Sequence, residues 1–179
     1  MRTVLFSDSV YFASDNIMVV GMAVRMIGLL AFWEIPSRAG IASGAFISLD
    51  WATRFVGPYA QHEAGFFGSG VVRSYFAESK GARGLRAIVH PSIAAELSNA
   101  FHSGVCDLPA DQVTEHGAHE LNLLSNVWWK HDTPFHWKGD QPFDLLEAAI
   151  LRLQNGAPPE VLSAYQSTLE AIERMRRHL

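Results

Sequence analysis

The sequence predicts an α/β fold, a sheet covered by helices. Three observations predict it. Strand-like runs alternate with helical patterns through the first hundred residues. A long, almost wholly apolar helix lies between two strand regions. Two amphipathic helices close the chain. With 179 residues there is enough chain for one domain with a substantial core and too little for two ordinary ones.

Arg2 to Phe6 and Ser9 to Ala13 read as short strands, rich in Val, Phe and Tyr, around the polar turn Ser7-Asp8. Ser14 or Asp15 is placed to cap a helix that runs to Trp33, with Pro36 as its stop. That helix is apolar all round, the pattern of one buried on several sides. Ser37 to Ser48 reads as a strand in which Gly40 and Gly44 weaken the ladder or admit another backbone. Leu49 to Gly65 is less regular, with a turn signal at Gly57-Pro58. A helix follows over Ser69 to Lys80, ended by Gly81 and Gly84. Leu85 to His90 reads as a strand, and Pro91 opens a helix through Phe101.

Leu108 to His119 reads as a loop, Glu120 to Trp129 as strand or helix, and Lys130 to Pro142 as an ordered loop. Phe143 to Gln154 is a helix with Leu145, Leu146, Ala149, Ile150 and Leu153 on one face. Glu160 to His178 is another, striped by Val161, Leu162, Tyr165, Leu169, Ile172 and Met175. Arg174, Arg176 and Arg177 complement the dipole at its C-terminal end. No repeat or linker divides the chain. It reads as a single domain, with a core over 1–105 and a helical extension over 106–179.

Composition excludes several classes. Apolar residues make up 49% and charged residues 18%, the reverse of a disordered chain. A net charge of −4 without a basic run argues against DNA or RNA as partner. So few charges suggest that some surface is covered by a partner. Ile17 to Trp33 is at the short limit for a membrane span and carries Arg25 at its middle, so no membrane is expected. The chain opens directly into a strand-like segment rather than a signal-peptide core. The lone Cys106 cannot form an internal disulfide and has no base beside it in sequence. A reducing compartment, the cytoplasm, is expected.

The most informative stretch is Leu5-Phe6-Ser7-Asp8-Ser9-Val10, which sets one carboxylate at the tip of a hairpin. Such an acid either holds a hard divalent ion or is an ordinary turn former. After the apolar helix comes Ile35-Pro36-Ser37-Arg38-Ala39-Gly40-Ile41-Ala42-Ser43-Gly44. Later come Phe67-Gly68-Ser69-Gly70-Val71-Val72-Arg73-Ser74-Tyr75-Phe76-Ala77-Glu78 and Leu85-Arg86-Ala87-Ile88-Val89. In this order and spacing, residues 4–92 resemble the class III nucleotidyl cyclase homology domain. They look closest to the divergent bacterial branch that includes the Pycsar antiphage pyrimidine cyclases.

The resemblance implies a ferredoxin-like sandwich in which the hairpin and the Ser37–Ser48 strand share one sheet. It implies Asp8 as a ligand of Mg²⁺ or Mn²⁺, with Ser7, Arg38, Gly68 and Glu78 at a nucleoside triphosphate and Tyr75 and Arg86 in catalysis. The family reaction joins a ribose 3′-oxygen to the α-phosphorus and expels pyrophosphate, with two metal ions. Its sites form between protomers, so a homodimer is implied. The departures are equally specific. The family's first metal aspartate lies on a strand upstream of the hairpin, and that first strand is absent here. Val72 and Phe76 stand where the general family has an Asn and a charge-stabilising Arg, and neither side chain can donate a hydrogen bond. A cyclase-like chain without turnover as it stands is the expectation; the alternative is a non-catalytic protein-interaction or nucleotide-sensing domain on the same scaffold.

Two further clusters have ordinary readings. His116 and His119 form a His-x-x-His pair, to which His131 or His136 could be added for zinc, but the intervening Gly117 suits a solvated loop. Trp128, Trp129, Phe135 and Trp137 offer either a stacking platform for bases or apolar anchors for an irregular segment.

Overall fold

The computed structural model describes residues 2–6, 9–56, 59–81, 84–101, 117–124 and 141–177. It is a mixed α/β structure. Strands β1 (Arg2–Phe6) and β2 (Ser9–Ala13) form an antiparallel hairpin with Phe6 opposite Ser9. Helix α1 (Val19–Phe32) follows. Strand β3 (Ala39–Ile41) leads to a second hairpin, β4 (Ile47–Val56) and β5 (Tyr59–Phe67). Then come α2 (Ser69–Gly81), β6 (Ala87–Val89), α3 (Pro91–Phe101), β7 (His119–Leu121), α4 (Gln141–Gln154) and α5 (Pro159–Arg177).

The central sheet has the order β3-β6-β7, with β3 parallel and β7 antiparallel to β6. Alternation along its strands sorts two helix layers. Ala87 and Val89 of β6, with Ala39 and Ile41 of β3, face a core built with α1, α3, α4 and α5. Ile88 faces the other way, onto Ala77 of α2. Gly40 faces α2 as well, and a Cβ there would collide with the Ser74 carbonyl. The glycine that weakens the strand is therefore what lets the α2 backbone lie directly on the sheet.

Several expectations change. Among the described residues the hairpin and the Ser37–Ser48 region do not share a sheet: β1 and β2 pair with each other, and β3 pairs with β6. The Ser37–Ser48 segment is not one strand either. It breaks after Ile41, where Ser43 leaves the ladder to donate its N–H to Ser92 Oγ (3.1 Å), and a new strand begins at Ile47. The irregular reading of Leu49 to Gly65 is replaced by the β4–β5 hairpin, whose strands flank 57–58 and slip register between Asp50 and Ala52. One slip breaks the alternation that marks a strand in sequence.

Helix α1 starts later than its polar flank suggests. Neither Ser14 nor Asp15 caps it; Asn16 Oδ1 accepts the Met18 N–H (3.0 Å) and the first helical residue is Val19. It also ends before Pro36 acts. Glu34 adopts φ 61°, its N–H donates to Ala31 O (3.0 Å), and the Ile35 N–H donates to Leu30 O (2.8 Å). This is the two-bond helix ending usually built on glycine. Nor is α1 buried on several sides. Val24, Ile27, Gly28 and Ala31 are buried, while Met22 is 60% and Trp33 72% exposed. At 14 residues it is about 21 Å long, and no helix among the described residues is long and apolar enough to cross a membrane.

The second half belongs to the same core. Leu121 of β7, Phe143, Leu146 and Ile150 of α4, and Ile172 and Met175 of α5 pack with Val24 and Val89. Residues from both sides of the expected 105/106 division thus share one interior. In α4 the expected stripe holds at Leu146, Ala149 and Ile150, with Leu153 packed against the core, while Phe143 joins it and Leu145 is exposed.

Candidate functional site

An open groove of about 1600 Å³ runs beside the outer edge of β3. The hairpin contributes Val10 to Ala13, α1 contributes Val20, Ala23, Ile27 and Leu30, and α2 contributes Val71, Ser74, Tyr75 and Glu78. Arg38 to Ser43 supply the strand edge between the two helices.

Three of the residues singled out by sequence meet here: Arg38, Tyr75 and Glu78. Arg38 opens β3, and Glu78 lies one turn after Ser74 on the face of α2 that Gly40 admits. The two form an ion pair between Arg38 Nε and Glu78 Oε1. Tyr75 is 60% exposed and its ring borders the groove.

Gly68 and Arg86 do different work. Gly68 (φ 138°) turns the chain from β5 into α2, and a Cβ on it would strike the Ala45 carbonyl. That carbonyl accepts the Gly70 N–H (3.0 Å), while Ser69 Oγ accepts the Ala45 N–H (3.0 Å). The N-terminus of α2 is thus sewn to the loop after β3. Arg73 Nη1 reinforces the join by donating to Ser43 O (3.0 Å).

Arg86 lies outside the groove. Its Nε donates to Glu120 Oε1 (2.5 Å), and its Nη2 pairs with Glu120 Oε2. Glu120 is 2% exposed and also receives Arg174 Nη2 from α5 (3.4 Å). Arg86 therefore anchors β7 and α5 to β6. Nothing in local sequence could have announced this, because Glu120 is 34 residues away.

His90 was not marked as a site residue. It follows β6, and its Nδ1 accepts the Ser92 N–H (3.0 Å) at the start of α3. Burial, and secondarily the Arg73 charge, hold its pKa below the ordinary 6.5. The Pro91 start of α3 was the available signal for a capping residue at 90.

Ser7 and Asp8 lie outside the described residues, as do Cys106, His116, His131, His136 and the four aromatics from Trp128 to Trp137. His119 lies on β7, and its buried Nδ1 has no hydrogen-bond partner among the described residues. Among the described residues no three carboxylate, imidazole or thiol side chains gather in a metal-holding group.

Fold and groove together define an α/β domain in which β3 is, among the described residues, an edge strand set between two helix layers. No family model, curated protein or solved structure matches the chain.

Proposed function

We propose that the chain is a non-catalytic interaction domain with the β3 groove as its binding surface. The Arg38–Glu78 ion pair carries this reading. A triphosphate needs cations free to meet its oxygens, and Arg38, the cation at this groove among the described residues, already has a carboxylate partner. Arg86 is committed in the same way to Glu120, away from the groove. Incubation with each of the four nucleoside triphosphates and Mg²⁺ or Mn²⁺ tests the reading: no cyclic nucleotide is expected. Cyclic product that disappears in Asp8→Ala would overturn it.

A second reading is favoured by one observation. Arg38, Tyr75 and Glu78, three of the residues that the resemblance carries over, line one groove. On that reading the chain is a nucleotidyl cyclase-like protein that takes a triphosphate at this groove, its site completed by a second copy in a homodimer. Calorimetric titration with triphosphates and sedimentation of the free chain separate the two: heat of binding together with a dimer would favour the second.

A further inference from the structure

We infer that the β3 groove receives an extended peptide strand from another protein, which adds to the central sheet. This rests on the interaction reading above and names its partner. The backbone supplies the first argument. The Ala39 N–H donates to Arg86 O (2.9 Å) and Ile41 O accepts the His90 N–H (2.8 Å), so residues 39 and 41 turn their polar groups to β6. In a parallel pair the intervening residue turns both of its groups the opposite way. Gly40 therefore presents an N–H and a C=O to the groove, on an edge with no strand beyond it among the described residues.

The second argument is the shape of the slot. An ordinary sheet edge faces solvent. This one lies between two helices on opposite faces of the sheet, and both line the groove beside it, α1 with Val20, Ala23, Ile27 and Leu30, α2 with Ser74 and Tyr75, while Val10 to Ala13 of the first hairpin and Phe46 to Ser48 border its far side. The space continues the sheet, and a strand is the element that fills such a layer. The two walls differ. Apolar α1 and the more polar α2 call for a strand whose alternate residues are apolar and small or polar. The charged groove residues are Asp15, Glu78 and Glu96 against Arg38. The excess of carboxylates suits a segment with basic flanks.

Area is the third argument. A strand of about six residues, enclosed on an edge and both faces, buries on the order of 1,000 Å² in total, the threshold for a specific interface. Main-chain hydrogen bonds supply affinity in this mode and the alternate side chains supply specificity.

The test uses the full chain and an acetylated, amidated eight-residue peptide of alternating valine and threonine with a lysine at each end. A second peptide carries N-methyl groups on alternate amides and cannot pair along that edge. Saturable binding is expected, with amide exchange slowed at residues 38–42. The N-methylated peptide is expected to bind at least about tenfold more weakly. Ala23→Lys, which sets a charge on the apolar wall, is expected to weaken the first peptide similarly while leaving the circular dichroism unchanged. Absence of binding at millimolar peptide, or equal affinity for both peptides, would overturn the inference. So would concentration-dependent self-association that protects residues 38–42 without peptide, since the occupant would then be a second copy. Failure of the peptide without triphosphate turnover removes the strand alone; turnover removes the interaction reading itself.

Discussion

Arg86 illustrates how a residue that sequence marks as chemical can be structural. Its guanidinium meets a carboxylate that is 2% exposed, and removing one member of such a pair strands the other charge away from water. Arg86→Ala is expected to cost about 3–5 kcal/mol of stability by chemical denaturation. An unchanged denaturation midpoint would mean that Glu120 is satisfied without it. His90 gives a pH dependence whose sign follows from its lowered pKa. Below its ordinary 6.5 the unfolded chain takes up a proton that folded His90 resists, so stability is present above that pH and falls as the pH drops below it. Asn can still accept the Ser92 N–H but does not titrate. The urea midpoint of His90→Asn should therefore fall less between pH 7.5 and 5 than that of the wild type, and parallel curves would remove His90 as a source of the effect.

At the scale of elements, the contact of α2 with the central sheet depends on a single missing side chain. Gly40 has ordinary extended backbone, so its role is space rather than conformational freedom. Gly40→Ala would push the Ser74 turn of α2 off the sheet and separate Ala77 from Ile88. A loss of about 1–3 kcal/mol is expected from overpacking, read as a lower melting temperature; a melting temperature equal to wild type would show that α2 moves freely. Helices α2 and α3 were legible almost to the residue, because glycine and proline bound them. α1 was legible in existence but not in its ends: its N-cap is Met18, which makes no side-chain capping bond, and Glu34 takes the positive φ usually left to glycine. β4 and β5 were missed because the irregularity at Trp51 interrupts their alternation.

At the scale of the whole molecule, β7 lies in the same sheet as β3, and α4 and α5 roof the same core as α1. Unfolding is expected to be a single transition, with fluorescence and far-UV circular dichroism coincident. A chain ending at Val105 lacks β7, α4 and α5. It exposes the Val24, Ala87 and Val89 side of the core and is expected not to fold; a cooperative melt of 1–105 would show that the first half stands alone. Of the candidate site, Arg38, Tyr75 and Glu78 were named by the resemblance alone, and it is the structure that brings the three to one groove. Arg86 was misread because its partner comes from a strand far along the chain.

Local sequence by itself determined the α/β class, the first hairpin and the helices bounded by Gly and Pro, since these depend on periodicity, turn chemistry and capping within a few residues. Only the tertiary structure decided that, among the described residues, the hairpin stands apart from the central sheet and β3 is an edge strand between two helices, and that Arg86 is an anchor. Each of these depends on which distant groups meet: a carboxylate 34 residues on, a strand beyond position 105, and the carbonyl of Ser74 above Gly40. Contacts of that range leave no periodic trace in the chain.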